Sequence, residues 1–121
     1  MKRVVITGMG INSCIGNTLE DVLHSLQNGI SGTRFNQTYA DLNFKSHVSA
    51  AAEQDFYNID RKLKRFMGVC AMYAYNSAVA AVEHAGLKAE DLAGNPRYGI
   101  AGGSGGGSTA SVIEMNELLE T

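Results

Sequence analysis

Five side chains in this sequence have the types that carry nucleophilic or metal chemistry: Cys14, Cys70, His24, His47 and His84. A cysteine attacks as its thiolate, which needs a neighbouring base or a helix N-terminus to form. Cys70 falls within a long apolar stretch of helical character, where an inert core thiol is the expected outcome. Cys14 sits in a glycine-rich turn just ahead of a helix, an electrically better place, yet no histidine is near it in sequence and it too reads as inert. The two cysteines lack C-x-x-C spacing, which speaks against a disulfide scaffold or a zinc site and suggests a reducing compartment. His24 falls off the apolar stripe of its helix and reads as solvated. His47 and His84 have no ligand spacing and read as surface or hydrogen-bonded histidines. Glu90-Asp91 opens a short helical turn, and nothing points to a paired-carboxylate site.

Two glycine runs could instead bring backbone close to a ligand. The first, "VVITGMGINSCIGN" from Val4 to Asn17, places glycines between an apolar run and a helix. A dinucleotide fingerprint needs G-x-G-x-x-G there. Gly8 and Gly10 fit, but the third slot falls at Ser13, and Gly16 arrives three residues late. One reading is a poorly matched nucleotide cradle; the other is a strand end whose glycines allow close backbone approach. The second run, "GGSGGGS" from Gly102 to Ser108, holds more glycines than a strand-to-helix turn requires. It suits a loop that lets a reacting group pass close to backbone or that gates a pocket. No lysine follows Gly107, which argues against a phosphate loop.

Four cations, Arg61, Lys62, Lys64 and Arg65, crowd what reads as the first turn of a helix. Positive charge there opposes the helix dipole, at a few tenths to about 1 kcal/mol each. Two readings stand side by side: a docking patch for an acidic partner, its charges speeding encounter, and a solvated helix start.

The elements that must hold these residues follow from composition and periodicity. The chain has 121 residues, 45% of them hydrophobic, and a formal net charge of -2. That length suits one domain, and that charge argues against wholesale nucleic-acid binding. The start "MKRVVITG" lacks the apolar segment and cleavage site of a signal peptide. The uncharged run from Phe66 to Val82 contains Gly68, Asn76 and Ser77 and falls short of about 20 strongly apolar residues, so it reads as a buried helix and not a membrane span. A cytoplasmic location is the resulting expectation.

Val4 to Thr7 is expected to form a strand buried on both faces. Thr18 is positioned to cap a helix whose apolar stripe is Leu19, Val22, Leu23 and Leu26 and whose stop is Gly29. The polar connection from Ser31 to Asn58 carries scattered aromatics and a short strand near His47 to Ala51. Asp60 caps a long helix running to about Ala85, ended by Gly86, with alanines that let neighbours approach. Asn95-Pro96 makes a turn, Tyr98 to Ala101 a second strand, and a last helix turns Val112, Met115, Leu118 and Leu119 inward. Two parallel strands joined by crossovers give an α/β layer. Two or three strands are too few for a parallel sheet, which is normally covered on both faces, so the sequence reads as the front part of something larger.

Taken together, "MKRVVITGMGINSCIGN", "IDRKLKRFM" and "NPRYGIAGGSGGGS" resemble the β-ketoacyl-acyl-carrier-protein synthase family, most of all its bacterial type I condensing enzymes of fatty-acid synthesis. The resemblance covers essentially the whole chain. It implies a thiolase-like fold, five layers α-β-α-β-α in the full-length enzyme, usually as a homodimer. It implies decarboxylating Claisen condensation of an acyl chain with malonyl-carrier protein, with no cofactor and no metal. It implies acyl carrier protein as partner, with neither nucleic acid nor membrane. By matching position, Arg61, Lys62 and Arg65 belong to the basic docking patch for that carrier. Gly105, Gly106 and Gly107 belong to the run beside the acyl pocket, and Gly106 holds the place where type II relatives carry a bulky gate residue. Gly8 and Gly10 match structural glycines. The family's nucleophilic cysteine and both catalytic histidines are expected after Thr121, so residues 1–121 are expected to be an incomplete N-terminal portion of the synthase N-terminal domain, inactive alone. Two other readings remain at this point: a non-catalytic module that binds carrier protein, and half of a nucleotide-binding oxidoreductase.

Overall fold

The computed structural model describes residues 3–56 and 58–120. Its elements in chain order are α1 (Leu19–Gln27), β1 (Arg34–Phe35), α2 (Gln37–Asp41), β2 (Val48–Ser49), α3 (Arg61–Lys64), α4 (Val69–His84), α5 (Ala89–Leu92) and α6 (Thr109–Leu119).

The helix ends follow local chemistry. Thr18 Oγ1 accepts from the Asp21 N–H at 3.1 Å and donates to Asp21 Oδ2 at 2.7 Å, which satisfies an otherwise orphaned first-turn donor of α1. At its other end the Ile30 N–H reaches Ser25 O at 2.9 Å, with Gly29 at φ 63°. Helix α4 ends in the same way: Leu87 N–H bonds Val82 O at 3.1 Å and Gly86 N–H bonds Glu83 O at 2.9 Å, with Gly86 at φ 68°. Both are paired C-terminal closures that need the left-handed backbone glycine adopts without a Cβ penalty. The 31–58 connection folds on itself as an antiparallel pair, Arg34 opposite Ser49 and Phe35 opposite Val48. Asn36 ties that pair to α2, accepting from the Tyr39 N–H at 3.1 Å and donating to Ser49 Oγ at 3.0 Å. The short strand expected near residue 47 is therefore present.

Helix α4 is the post around which the chain is arranged. The segment after the first apolar run lies directly on one face of it. A Cβ on Gly8 would overlap Ala81 O and come within 2.8 Å of Ala85 Cβ; one on Gly10 would overlap Ser77 O and come within 2.8 Å of Ala81 N. Hydrogen bonds fix the register: Met9 N–H donates to His84 Nδ1 at 3.0 Å, and Asn12 Nδ2 donates to Tyr73 O at 3.1 Å and to Ser77 Oγ. The alanines of α4 make this approach possible, as the sequence suggested. From the other side, Tyr73 OH donates to Ala52 O and Phe56 packs edge-on against the Tyr73 ring at 5.1 Å. Ile59, 4% exposed, is the one buried hydrophobic side chain among the described residues.

Three sequence expectations are corrected. The expected single helix from 60 to 85 is two helices. The chain leaves α3 through short-range turns, Phe66 N–H to Leu63 O and Met67 N–H to Lys64 O, and Gly68 then takes ψ 161° as the cap of α4. A Cβ at Gly68 would lie 3.0 Å from Ser108 Cβ, so the break is also where the last helix begins to pack. Second, residues 4–7 and 98–101 are irregular, not parallel strands, and the sheet present is the β1–β2 antiparallel pair. Val4 is 95% exposed and Ile100 fully exposed. An apolar strand buried on both faces is held by ladders and cover from its neighbours, and no strand flanks either segment among the described residues. Third, Val112, Met115, Leu118 and Leu119 of α6 and Leu23 and Leu26 of α1 are exposed, not inward. The helical periodicity is real, but these side chains stay largely open to solvent.

Candidate functional site

The basic residues are presented by a short, well-anchored turn. Asp60 Oδ1 accepts from the Lys62 N–H at 2.7 Å and caps α3. The Ile59 N–H bonds Phe56 O at 3.3 Å, so the turn hangs from the most buried apolar side chain of the fold. Arg61, Lys62 and Arg65 are exposed. Among the described residues no carboxylate pairs with them. Lys64 differs: it is half-buried, its Nζ 5.8 Å from the centre of the Phe56 ring. Because α3 is only four residues long, these cations stand at its last turn as much as its first. The dipole conflict expected for a long helix is therefore absent.

The second glycine run lies next to this turn. A cleft of about 550 Å³ is lined by Cys70, Ala71 and Ala74 of α4 on one side and by Gly103, Ser104, Gly106 and Gly107 on the other. A groove of about 480 Å³ runs on the other side of Gly68, between Lys64–Met67 and Ser111, Met115 and Leu118 of α6. Gly68 borders both, so the basic turn and the glycine loop are adjacent. Gly105 stands beside the cleft lining in sequence but is not one of its walls. A Cβ on Gly105, Gly106 or Gly107 would meet nothing within 4 Å, so the loop is open space here and not a tight backbone approach. Ser104 Oγ donates to Gly106 O at 2.6 Å and accepts from the Gly106 N–H at 3.4 Å, which braces the loop from within.

The candidate nucleophiles are placed differently from expectation. Cys70 is not in the middle of a buried helix; the break at Gly68 makes it the second residue of α4, exposed on the 550 Å³ cleft. Cys14 is half-buried, its backbone so close to Gly32 that a Cβ there would overlap Cys14 O. His24 is exposed, as expected. His84 is hydrogen-bonded to Met9, and His47 lies edge-on to Phe35 at 6.2 Å. Among the described residues no group of histidines, cysteines and carboxylates could hold a metal ion. The opening glycines cannot cradle a nucleotide, because the space a pyrophosphate would use at Gly8 and Gly10 is filled by α4.

The contacts that sequence reasoning missed are those of Phe56. Periodicity gives no signal for an aromatic in an irregular connection, and its partners Lys64 and Tyr73 come later in the chain, on separate helices.

The profile of the family described as "Beta-ketoacyl synthase, N-terminal domain" matches residues 1–120. The chain is 48% identical over 109 residues to 3-oxoacyl-acyl-carrier-protein synthase 1 of Escherichia coli K12, covering 89% of this chain and 27% of that protein. It is 47% identical, with the same coverage, to the synthase 1 of Haemophilus influenzae. The chain thus spans about 27% of the length of these curated relatives. In three dimensions it matches the crystal structure of a β-ketoacyl synthase from Burkholderia phymatum with a TM-score of 0.79 at 29% identity, over 100% of this chain and 30% of that one. The fold is therefore α/β and thiolase-like, with residues 4–7 and 98–101 unpaired among the described residues. A backbone laid on α4 by its glycines, a capped basic turn and an adjoining glycine loop are thus features of a chain that belongs to the β-ketoacyl synthase family, in its N-terminal domain.

Proposed function

We propose that this chain is the incomplete N-terminal portion of the catalytic domain in a condensing enzyme that lengthens acyl chains on acyl carrier protein. In that reaction a cysteine thiolate attacks the acyl-carrier thioester, the carrier's carbon–sulfur bond breaks and its thiol leaves, and the acyl group stays on the cysteine as a thioester. Malonyl-carrier protein loses carbon dioxide, and the resulting enolate carbon attacks the thioester carbonyl. The carbon–sulfur bond breaks and the thiolate leaves, so the step is redox-neutral and needs no electron carrier. The nucleophilic cysteine and the two histidines that stabilise enolate and oxyanion come from beyond Thr121; Cys14 and Cys70 do not act for them, since neither has a base beside it. The full protein works in the cytoplasm as a homodimer.

Within it, Arg61, Lys62 and Arg65 form the landing surface for the acidic carrier, and Gly105, Gly106 and Gly107 border the acyl passage. One observation carries this reading: three exposed cations, without carboxylate partners among the described residues, on a capped turn whose groove meets at Gly68 the cleft walled by the open glycine loop. Favourable long-range attraction of this kind chiefly raises the rate of encounter. The test is release of carbon dioxide from malonyl-carrier protein by the intact protein in the presence of an acyl-carrier substrate. Release coupled to formation of a 3-oxoacyl product is expected; no release would refute the assignment. A carrier-binding module without turnover would show salt-sensitive carrier binding and no release.

A further inference from the structure

Phe56 occupies a junction that the docking reading alone does not explain. Its ring meets the Tyr73 ring of α4 at 5.1 Å and 71°, an edge-to-face contact. Tyr73 is itself fixed, its hydroxyl donating to Ala52 O four residues ahead of Phe56. Lys64 Nζ lies 5.8 Å from the centre of the Phe56 ring, within the range of cation–π attraction. Three residues on, Ile59 is buried and its N–H bonds Phe56 O, and Asp60 then caps α3. The basic turn is thus tied to the central helix through one aromatic ring, and of its four cations one is turned onto that ring while three remain exposed.

We propose that Phe56 is a positioning residue for the carrier-docking turn: wedged against Tyr73 and bearing Lys64, it holds α3 so that Arg61, Lys62 and Arg65 face a partner, while Lys64 serves as an internal anchor and not as a docking charge. This rests on the docking reading above for its partner, but the geometry of the wedge stands apart from it. Four cations adjacent in sequence then divide into two roles, which charge counting cannot reveal.

The experiment uses the intact protein, with trypsin and acyl carrier protein as two separate probes. Without carrier, Phe56→Leu should speed cleavage after Arg61, Lys62 and Arg65 by about fivefold or more, because the turn opens more often, and Phe56→Tyr should restore the parent rate. With carrier, Phe56→Leu should weaken binding by about three- to tenfold, and Phe56→Tyr should not. Arg65→Gln should weaken it by a similar factor, and Lys64→Gln by less than about twofold. Parent-like cleavage in Phe56→Leu overturns the wedge whatever the carrier does. Loss of binding in Lys64→Gln as large as in Arg65→Gln overturns the division of roles, and that comparison holds even where Phe56→Leu fails to fold. A parent protein that binds no carrier, with faster cleavage in Phe56→Leu, keeps the wedge and removes the docking reading.

Discussion

Single glycines in this chain do opposite things, and the difference can be measured. At Gly10 the absent Cβ is what lets the backbone reach α4, since any side chain would overlap Ser77 O. Gly10→Ala must push the segment off the helix and strain the Met9–His84 and Asn12–Ser77 bonds that fix its register. A loss of about 1–3 kcal/mol is expected for such overpacking, read as a lower denaturation midpoint. At Gly106 nothing lies within 4 Å of the missing Cβ and φ is not positive, so Gly106→Ala should change stability by no more than about 0.5 kcal/mol. Any effect of that substitution on activity would then report the passage of substrate and not folding. Cys70 belongs to the same scale. It is exposed at the start of a helix, yet no histidine stands beside it, so treatment with an acyl-carrier thioester should leave Cys14 and Cys70 unacylated by intact-mass analysis.

Among the elements, caps carry more of the organisation than periodicity does. Asp60→Ala removes the acceptor that holds the Lys62 N–H, and about 0.5–2 kcal/mol of local stability with it. In so short a helix as α3 this should appear less as a lowered melting temperature than as faster exchange of the amides at 61–65. What could be read in the sequence divides along the same line. Thr18, Asp60, Gly29 and Gly86 were legible because a cap is a contact between residues within a few positions of each other. The close approach of Gly8 and Gly10 was legible as a possibility, and the hydrogen-bonded geometry chose it over the nucleotide cradle. The break between α3 and α4 was not legible, because the uncharged run from Phe66 continues the apolar pattern across Gly68, and only packing against Ser108 shows why the helix restarts there. The placement of Cys70 was lost with it. Residues 4–7 and 98–101 find no ladder partner among the described residues, and periodicity carries no information about partners. Of the candidate site, charge alone marked the basic cluster, while its reading as a docking patch came from the family resemblance. The withdrawal of Lys64 onto Phe56 required the folded geometry.

At the scale of the whole molecule the described surface is rich in exposed apolar side chains. Val4, Val5, Ile6 and Ile100, together with Val112, Ile113, Met115 and Leu119 of α6, are exposed, and apolar side chains exposed in such number are an aggregation liability unless a partner covers them. Expressed by itself, the 121-residue chain should bind a hydrophobic dye strongly and melt over a broad range, whereas a sharp cooperative melt without dye binding would show that these faces find cover within the chain. The overall balance of charge is slightly negative, so the positive patch on α3 is a local exception and not a general attraction for polyanions.

That exception permits the most direct measurement. In the intact protein, reversal of Arg61, Lys62 and Arg65 to glutamate should raise the KM for the carrier-borne substrate by about tenfold or more. The effect should shrink as salt rises from low to high, with kcat changed by less than about twofold. A KM that stays at the parent value, or a loss confined to kcat and indifferent to salt, would contradict a carrier landing on this turn.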